Sequence, residues 1–228
     1  MTKGDASTFK HIETSVFDLN LVETLCSRLC HDLISPISAI NNGLELVAGG
    51  GDLPLDQEAM AMVSDCGKEV AVRLQYLRSA LGRGDGLDKL QDLSPLRALA
   101  LAYLRDGKVT LVWRDDDLNP QSIVGRKASK LMLNLILLAV EALPFGGTVV
   151  VRVVERDGGP LAEITATGER VKFDSEALAA LKGSCDLNKL EPRTILAYYA
   201  GSLGRVIDAQ MAIESMEGTV RFAFLLRP

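Results

Sequence analysis

The sequence predicts an α+β protein: an antiparallel helical hairpin that pairs with a second copy as a dimeric four-helix bundle, followed by an α/β sandwich. Three observations predict it. A heptad-like apolar stripe runs from Asp18 to Ala48, a glycine-rich break separates it from a second helical stripe, and beyond Asp88 shorter helical and strand-like segments alternate. A length of 228 residues suits a small helical module plus one α/β domain, and 47% apolar residues suffice for a core.

Residues 1–16 read as a disordered polar tail. In the first helix Leu19, Val22, Cys26, Leu29, Leu33, Ile37, Ile40, Leu44 and Val47 recur at spacings of three and four. Gly49, Gly50, Gly51, Asp52 and Pro54 interrupt it. A second helix then starts at Asp56 and reaches about Leu81 through Met60, Val63, Val70, Leu74 and Leu77. A hairpin of two helices has no second layer on which to bury its stripe, so a homodimer is expected, with residues 17–82 as its domain.

Residues 83–88, rich in glycine and aspartate, read as a linker, and residues 89–228 as the second domain. Its expected order is a helix at Leu93–Leu104, a strand at Val109–Trp113, a helix at Ser122–Leu143 and strands at Thr148–Val154 and Leu161–Ala166. Helices at Ser175–Lys182 and Pro192–Ala209 follow, and then a hairpin of Met211–Glu214 with Thr219–Leu226. Trp113 is expected in the core.

The net charge of −5, without a Lys/Arg cluster, argues against nucleic acid as a partner. The longest apolar run, near Leu131–Val140, is broken by Asn134 and is too short to span a bilayer, and the N-terminus lacks the apolar stretch of a signal peptide. No membrane association and a cytoplasmic location are therefore expected. Cys26, Cys30, Cys66 and Cys185 show no metal-binding spacing. Cys26 and Cys30 read as buried free thiols in a reducing compartment.

The chemistry is concentrated in His31-Asp32-Leu33-Ile34-Ser35-Pro36. At about 100° per residue, His31 points away from Leu29 and Leu33 and shares its side with Thr24, Ser27, Arg28, Ser35 and Ser38, a polar strip interrupted by Ile34. Neutral imidazole is a nucleophile near neutral pH, and its phosphoramidate is labile enough to pass a phosphoryl group onward. Small neighbours admit a partner's active site, and Asp32 can hold the second ring N–H. Pro36 removes the N–H that would reach the carbonyl of Asp32 and is expected to kink the helix one turn beyond His31. Any one of these residues alone would be ordinary; their union in one turn of a dimer-forming helix points to a phosphoacceptor. His11 has no such support.

This segment resembles the phosphoacceptor box of sensor histidine kinases, in which His, an acid, two variable residues, a Thr, Ser or Asn and a Pro match His31, Asp32, Ser35 and Pro36. Residues 128–151 resemble the asparagine-box helix and following strand of the kinase ATP-binding domain, so the resemblance implies a Bergerat-type (histidine kinase ATPase-like) sandwich for the second domain. The departures imply a degenerate one. Leu138 stands where the magnesium-ligating asparagine would be. Ala166, Gly168 and Arg170 correspond to the adenine-recognising Asp and its two glycines, so the adenine-binding carboxylate is missing, and the lid has shrunk to about Gly183–Leu190. Asn134 reads as a capping or core-edge group. Glycine-poor loops cannot cradle phosphates with close backbone N–H groups.

An intact acceptor box with eroded nucleotide motifs is similar to the ChpT-type histidine phosphotransferases. The resemblance implies phosphoryl transfer through His31 between receiver domains, from a hybrid histidine kinase to response regulators. It implies Asp32 as orienting or base partner, no cofactor of the chain's own, and Mg2+ supplied by the partner receiver. Two other readings stay open: an ATP-dependent kinase with an unconventional nucleotide site, and a non-catalytic dimer that binds receivers.

Overall fold

The computed structural model describes residues 6–49, 53–82, 93–105, 107–115, 124–156 and 159–226, with side chains from residue 19 onward on the first helix and from residue 56 onward on the second. Helix α1 spans Ala6–Ala48 and α2 spans Leu53–Leu81, packed against each other as the expected hairpin. The helices cross closely: a Cβ on Gly43 would lie 2.5 Å from Cγ2 of Val63. Helix α1 starts earlier than expected. Residues 6–16 carry helical backbone where disorder was expected, because no Gly or Pro interrupts Ala6–Val16 and the helix simply propagates. Residues 1–5 and the expected linker at 83–88 lie outside the described residues. Helix α1 continues through Pro36, which is buried.

The second domain follows as α3 (Ser94–Leu104), β1 (Val109–Arg114), α4 (Arg126–Glu141), β2 (Gly147–Val154), β3 (Leu161–Thr167), α5 (Ser175–Lys182), α6 (Ile195–Val206), β4 (Ala212–Met216) and β5 (Thr219–Leu225). The strands form one five-stranded sheet in the order β1-β2-β3-β5-β4, parallel between β1 and β2 and antiparallel elsewhere. Alternation along the strands follows their period of two. Val149, Val151, Val153, Ala162, Ile164, Ala166, Val220, Phe222 and Phe224 are buried on one face. The other face carries Glu163 paired with both Arg152 and Arg221, the last of which also reaches Glu214 at 3.3 Å. The mixed α+β class is as expected.

Helix α4 is buried at every residue from Ala128 to Ala139, with the sheet on one side and α2 and α6 around it. This is how an apolar helix without a polar face has to lie. It starts at Arg126, after Val124 and Gly125, which are not helical, while the expected start at Ser122 lies outside the described residues; α6 is shorter than expected, beginning at Ile195 and ending at Val206. Gly201 allows α6 to approach α5: a Cβ there would come within 1.9 Å of the carbonyl oxygen of Leu181. A 3-10 turn, Leu187–Lys189, lies between α5 and α6 and touches α1.

The hairpin does find a second layer within its own chain. Tyr76, Leu77 and Ala80 of α2 belong to the core of the second domain, and Leu21, Leu25, Leu29 and Leu33 of α1 pack against it. The fully buried Tyr76 donates its hydroxyl to the carbonyl of Leu133 at 2.9 Å, and Tyr199 of α6 donates to the carbonyl of Leu81 at 3.2 Å. Asn134 donates to the carbonyl of Ala80 at 2.9 Å, one of the last carbonyls of α2, which have no partner within that helix. It is thus the capping group expected of it. Trp113 is buried as expected and donates its ring N–H to Asp115 at 3.1 Å.

The apolar stripe read from the sequence therefore divides. Leu29, Leu33, Ile40 and Val47 are partly covered within the chain, whereas Leu19, Val22, Ile37 and Leu44 on α1 and Met60 and Leu74 on α2 remain exposed. Cys26 and Cys30 are exposed free thiols, not buried ones. The expectation fails because α1 turns the side bearing Leu25 and Leu29, about a third of a turn away, toward the second domain.

Candidate functional site

The imidazole of His31 is 83% exposed, on the outer surface of α1, more than three helical turns from the C-terminal end of that helix. A long helix whose opposite side is packed against the rest of the chain keeps this ring at a fixed position. Of the polar strip read from the sequence, Ser27, Ser35 and Ser38 are exposed beside it and Thr24 is half-buried, its hydroxyl donating to the carbonyl of Asn20 at 2.8 Å. Ile34, 64% exposed, interrupts the strip as expected.

Arg28 does not belong to that open strip. Its guanidinium turns away from solvent and spans two carboxylates, donating from Nε to Oδ2 of Asp32 at 2.9 Å and from Nη2 to Oε1 of Glu141, with a third contact from Nη1 to the carbonyl of Pro192 at 3.4 Å. A planar fork with several fixed donors can bridge such groups, and it is drawn inward because Glu141 at the end of α4 would otherwise be buried without a counter-charge. Asp32 follows it, leaving only 15% of its side chain exposed. Its other oxygen, Oδ1, lies 3.4 Å from Nδ1 of His31, at the long edge of hydrogen-bonding range. The ring thus has Nδ1 turned toward a carboxylate and Nε2 toward solvent.

Glu141 is the residue that sequence reading missed. A carboxylate on the last turn of a helix faces the negative end of the helix dipole, so an acid ending an otherwise apolar helix signals a cation nearby. Burial pushes the Glu141 carboxyl up to about 6 from an ordinary 4.5, against the pull of Arg28 and with a small further rise from Asp32. Burial pulls Arg28 down, but the charges and hydrogen bonds of Glu141 and Asp32 together hold it above its usual range.

The sign of the resulting pH effect follows from proton binding. Between about pH 4.5 and 6 the folded chain holds a proton on Glu141 that the unfolded chain has released, so this residue's contribution falls as pH rises through that window. The cost reaches about 2 kcal/mol above it. Chemical denaturation of the wild type and Glu141→Gln on both sides of the window is expected to show the difference moving in favour of Gln at the higher pH. A shift in favour of Glu would contradict the burial argument.

Behind Arg28 and Glu141 a cleft of about 260 Å³ is lined also by Leu138, Lys172, Asp174, Arg193 and Thr194. The apolar side chain of Leu138 therefore stands on its wall, beside the acid Glu141. Arg193 is engaged by Glu191, Glu176 and Asp174. Ala166 is fully buried within β3, between Val149 of β2 and Val220 of β5, and Arg170 stacks over Phe145 at 5.6 Å. Among the described residues no cluster of three or more His, Cys, Asp or Glu side chains is placed to hold a metal ion, and no helix is long and apolar enough to cross a membrane.

With this geometry in hand, comparison with known proteins is informative. Residues 93–219 match the family described as histidine phosphotransferase C-terminal domain. Protein phosphotransferase ChpT of Brucella abortus (strain 2308) is 30% identical over 205 residues, covering 90% of this chain and 95% of its own. A solved bacterial phosphotransferase structure superimposes with a TM-score of 0.76 at 30% identity, over 90% of this chain and 96% of that one. Weaker neighbours are histidine kinases, such as ThkA solved in complex with the response regulator protein TrrA, at 14% identity, a TM-score of 0.49, and coverage of 99% and 67% of the two chains. The family match covers more than half of the chain, and the phosphotransferase relatives extend the likeness across most of the remainder: the chain belongs to the histidine phosphotransferases.

Proposed function

We propose that the chain is a homodimeric phosphorelay shuttle of the cytoplasm, in which His31 accepts a phosphoryl group from the receiver domain of a hybrid histidine kinase and passes it to response regulators, without using ATP. The observation that carries this reading is the ring of His31, 83% exposed, with Nδ1 turned to Asp32 and Nε2 free. With the Nδ1 proton directed at the carboxylate, the Nε2 lone pair attacks the phosphorus of a receiver's aspartyl phosphate. A P–N bond forms, the P–O bond to the aspartate breaks, and that carboxylate leaves with the electron pair. Asp32 stabilises the charge that develops on the ring; the partner receiver would supply Mg2+, whose positive charge would offset that of the transferred group. The reverse attack by a second receiver's aspartate returns the imidazole.

Ser27, Ser35 and Ser38 leave room around the ring for the receiver's acidic pocket. The exposed apolar residues Leu19, Val22, Ile37 and Leu44 with Met60 and Leu74 supply the surface that a second copy would cover to complete a four-helix bundle. The nucleotide-free reading is supported by Leu138 on the cleft wall, an apolar group where a magnesium ligand would be needed, and by Ala166, whose buried place in β3 offers no carboxylate to adenine.

Labelled ATP alone is expected to leave the purified chain unlabelled, whereas a phosphorylated receiver should transfer label to it in a form stable to alkali and labile to acid. Isothermal titration should detect no ATP binding at millimolar nucleotide with magnesium. Saturable micromolar binding, or label from ATP alone, would favour a kinase; no label from either source would leave a receiver-binding scaffold.

A further inference from the structure

His31 lies on α1 and Glu141 on α4, and three consecutive polar contacts join them. Glu141 accepts from Nη2 of Arg28, Arg28 donates from Nε to Asp32 at 2.9 Å, and Asp32 presents its second oxygen to Nδ1 of the ring at 3.4 Å. We propose that Glu141 is a positioning residue for phosphoryl transfer at His31, through which the second domain orients the acceptor ring by way of Arg28 and Asp32. The inference rests on His31 as the acceptor and goes beyond it, because it assigns the second domain a part in the chemistry itself.

Asp32 alone has two carboxylate oxygens and a free χ2, so nothing local to α1 obliges Oδ1 to face the imidazole. Arg28, one helical turn earlier, fixes Oδ2, but an arginine on a helix surface is itself among the most mobile of side chains. It is Glu141, with the carbonyl of Pro192, that holds the guanidinium from the far side and leaves one orientation open to Asp32. The remaining charged groups of the cleft do not substitute for it. Arg193 is occupied by Glu191, Glu176 and Asp174, and Lys172 lies over Phe145 at 5.9 Å. Tyr103 of α3 feels the charges of Arg28, Asp32 and Glu141, but no hydrogen bond joins it to them among the described contacts. Loss of the Glu141 oxygen therefore frees Arg28, lets Asp32 rotate, and lets the proton move between Nδ1 and Nε2, so that a smaller fraction of rings presents an unprotonated Nε2.

Single-turnover transfer from a phosphorylated receiver, measured against receiver concentration, tests this in Glu141→Ala and Glu141→Gln, with circular dichroism as a check on folding. The maximal rate of Glu141→Ala should fall about tenfold, the low end of what removing an orienting partner of a metal-ligating imidazole costs, since Glu141 acts through two intervening side chains, with the half-saturating receiver concentration unchanged. Gln, whose amide oxygen still accepts from Arg28, should recover most of the rate. Ring ¹⁵N shifts of His31 in alkaline buffer should show the Nδ1-protonated tautomer predominating in the wild type and in Gln but not in Ala. Should Ala disturb folding, Arg28→Lys gives the same test, because an ammonium keeps the charge but cannot bridge two carboxylates in a fixed plane. A folded Glu141→Ala with wild-type maximal rate and ring shifts overturns the inference, as does a change in half-saturation alone. A wild type that takes no label on His31 overturns the acceptor assignment, and is distinguished from either result by the wild-type lane itself.

Discussion

His31→Ala is expected to take up no phosphoryl group from a phosphorylated receiver, while its melting curve and hydrodynamic size remain those of the wild type. The two halves of this result have separate causes. The ring is the only side chain on the exposed strip of α1 with a nucleophilic nitrogen: Ser27, Ser35 and Ser38 carry hydroxyls with no described base beside them. Because 83% of the ring faces solvent and its one polar contact among the described residues is the 3.4 Å approach to Asp32, truncation leaves no cavity and strands no buried donor. A substitution of that kind changes stability by less than about 0.5 kcal/mol. Label that persisted on His31→Ala would move the acceptor elsewhere, and loss of label accompanied by unfolding would mean that the ring supports the helix and is not free for transfer. His11→Ala serves as the control and should transfer normally.

How much of this was legible beforehand depended on the range of the forces involved. Helix and strand positions follow from local periodicity, so α3, β1, β2, β3 and α5 lie within a residue or two of where the alternation of apolar positions placed them. The exposure of His31 was legible for the same reason, since the angle between it and Leu29 or Leu33 is a property of the helix alone. What was not legible is which side of α1 the rest of the chain would cover. Leu25, Leu29 and Leu33 on the second domain's core and Arg28 on Glu141 decide that, while Tyr76 and Asn134 fix α2 on α4 through the carbonyls of Leu133 and Ala80, and the Tyr76, Asn134 and Arg28 contacts join residues more than fifty positions apart that leave no periodic trace. Arg28 was misplaced in consequence. Helical arithmetic puts it 60° from His31, and only the presence of Glu141 beyond the chain's own helix tells which way its long side chain bends. Cys26 and Cys30 were misjudged by the same missing information. The want of a polar group at Leu138 and of a carboxylate at Ala166, by contrast, is visible residue by residue, because it holds wherever the backbone puts them.

The division of the apolar stripe has a consequence for assembly. Leu29 and Leu33 pack against the chain's own core, so an aspartate at either should damage the single chain as well as any dimer. Ile37 and Leu44, at 42% and 47% exposure, have no such role, and an aspartate at each costs the isolated chain little because the carboxylate stays in water. In a two-fold symmetric bundle every substituted position appears twice. Because a little under half of each side chain is left to bury, and full burial is worth about 1.5–3 kcal/mol, Ile37→Asp with Leu44→Asp removes about 3–5 kcal/mol from association, before the cost of burying charge is added. At about 1.4 kcal/mol for each factor of ten, the dissociation constant should rise by about two to four orders of magnitude. Sedimentation velocity should therefore show the double variant as a folded monomer at concentrations where the wild type is a dimer, whereas Leu33→Asp should lose melting cooperativity together with its partner. Sedimentation of the double variant as a wild-type dimer would place the interface on another face of the molecule.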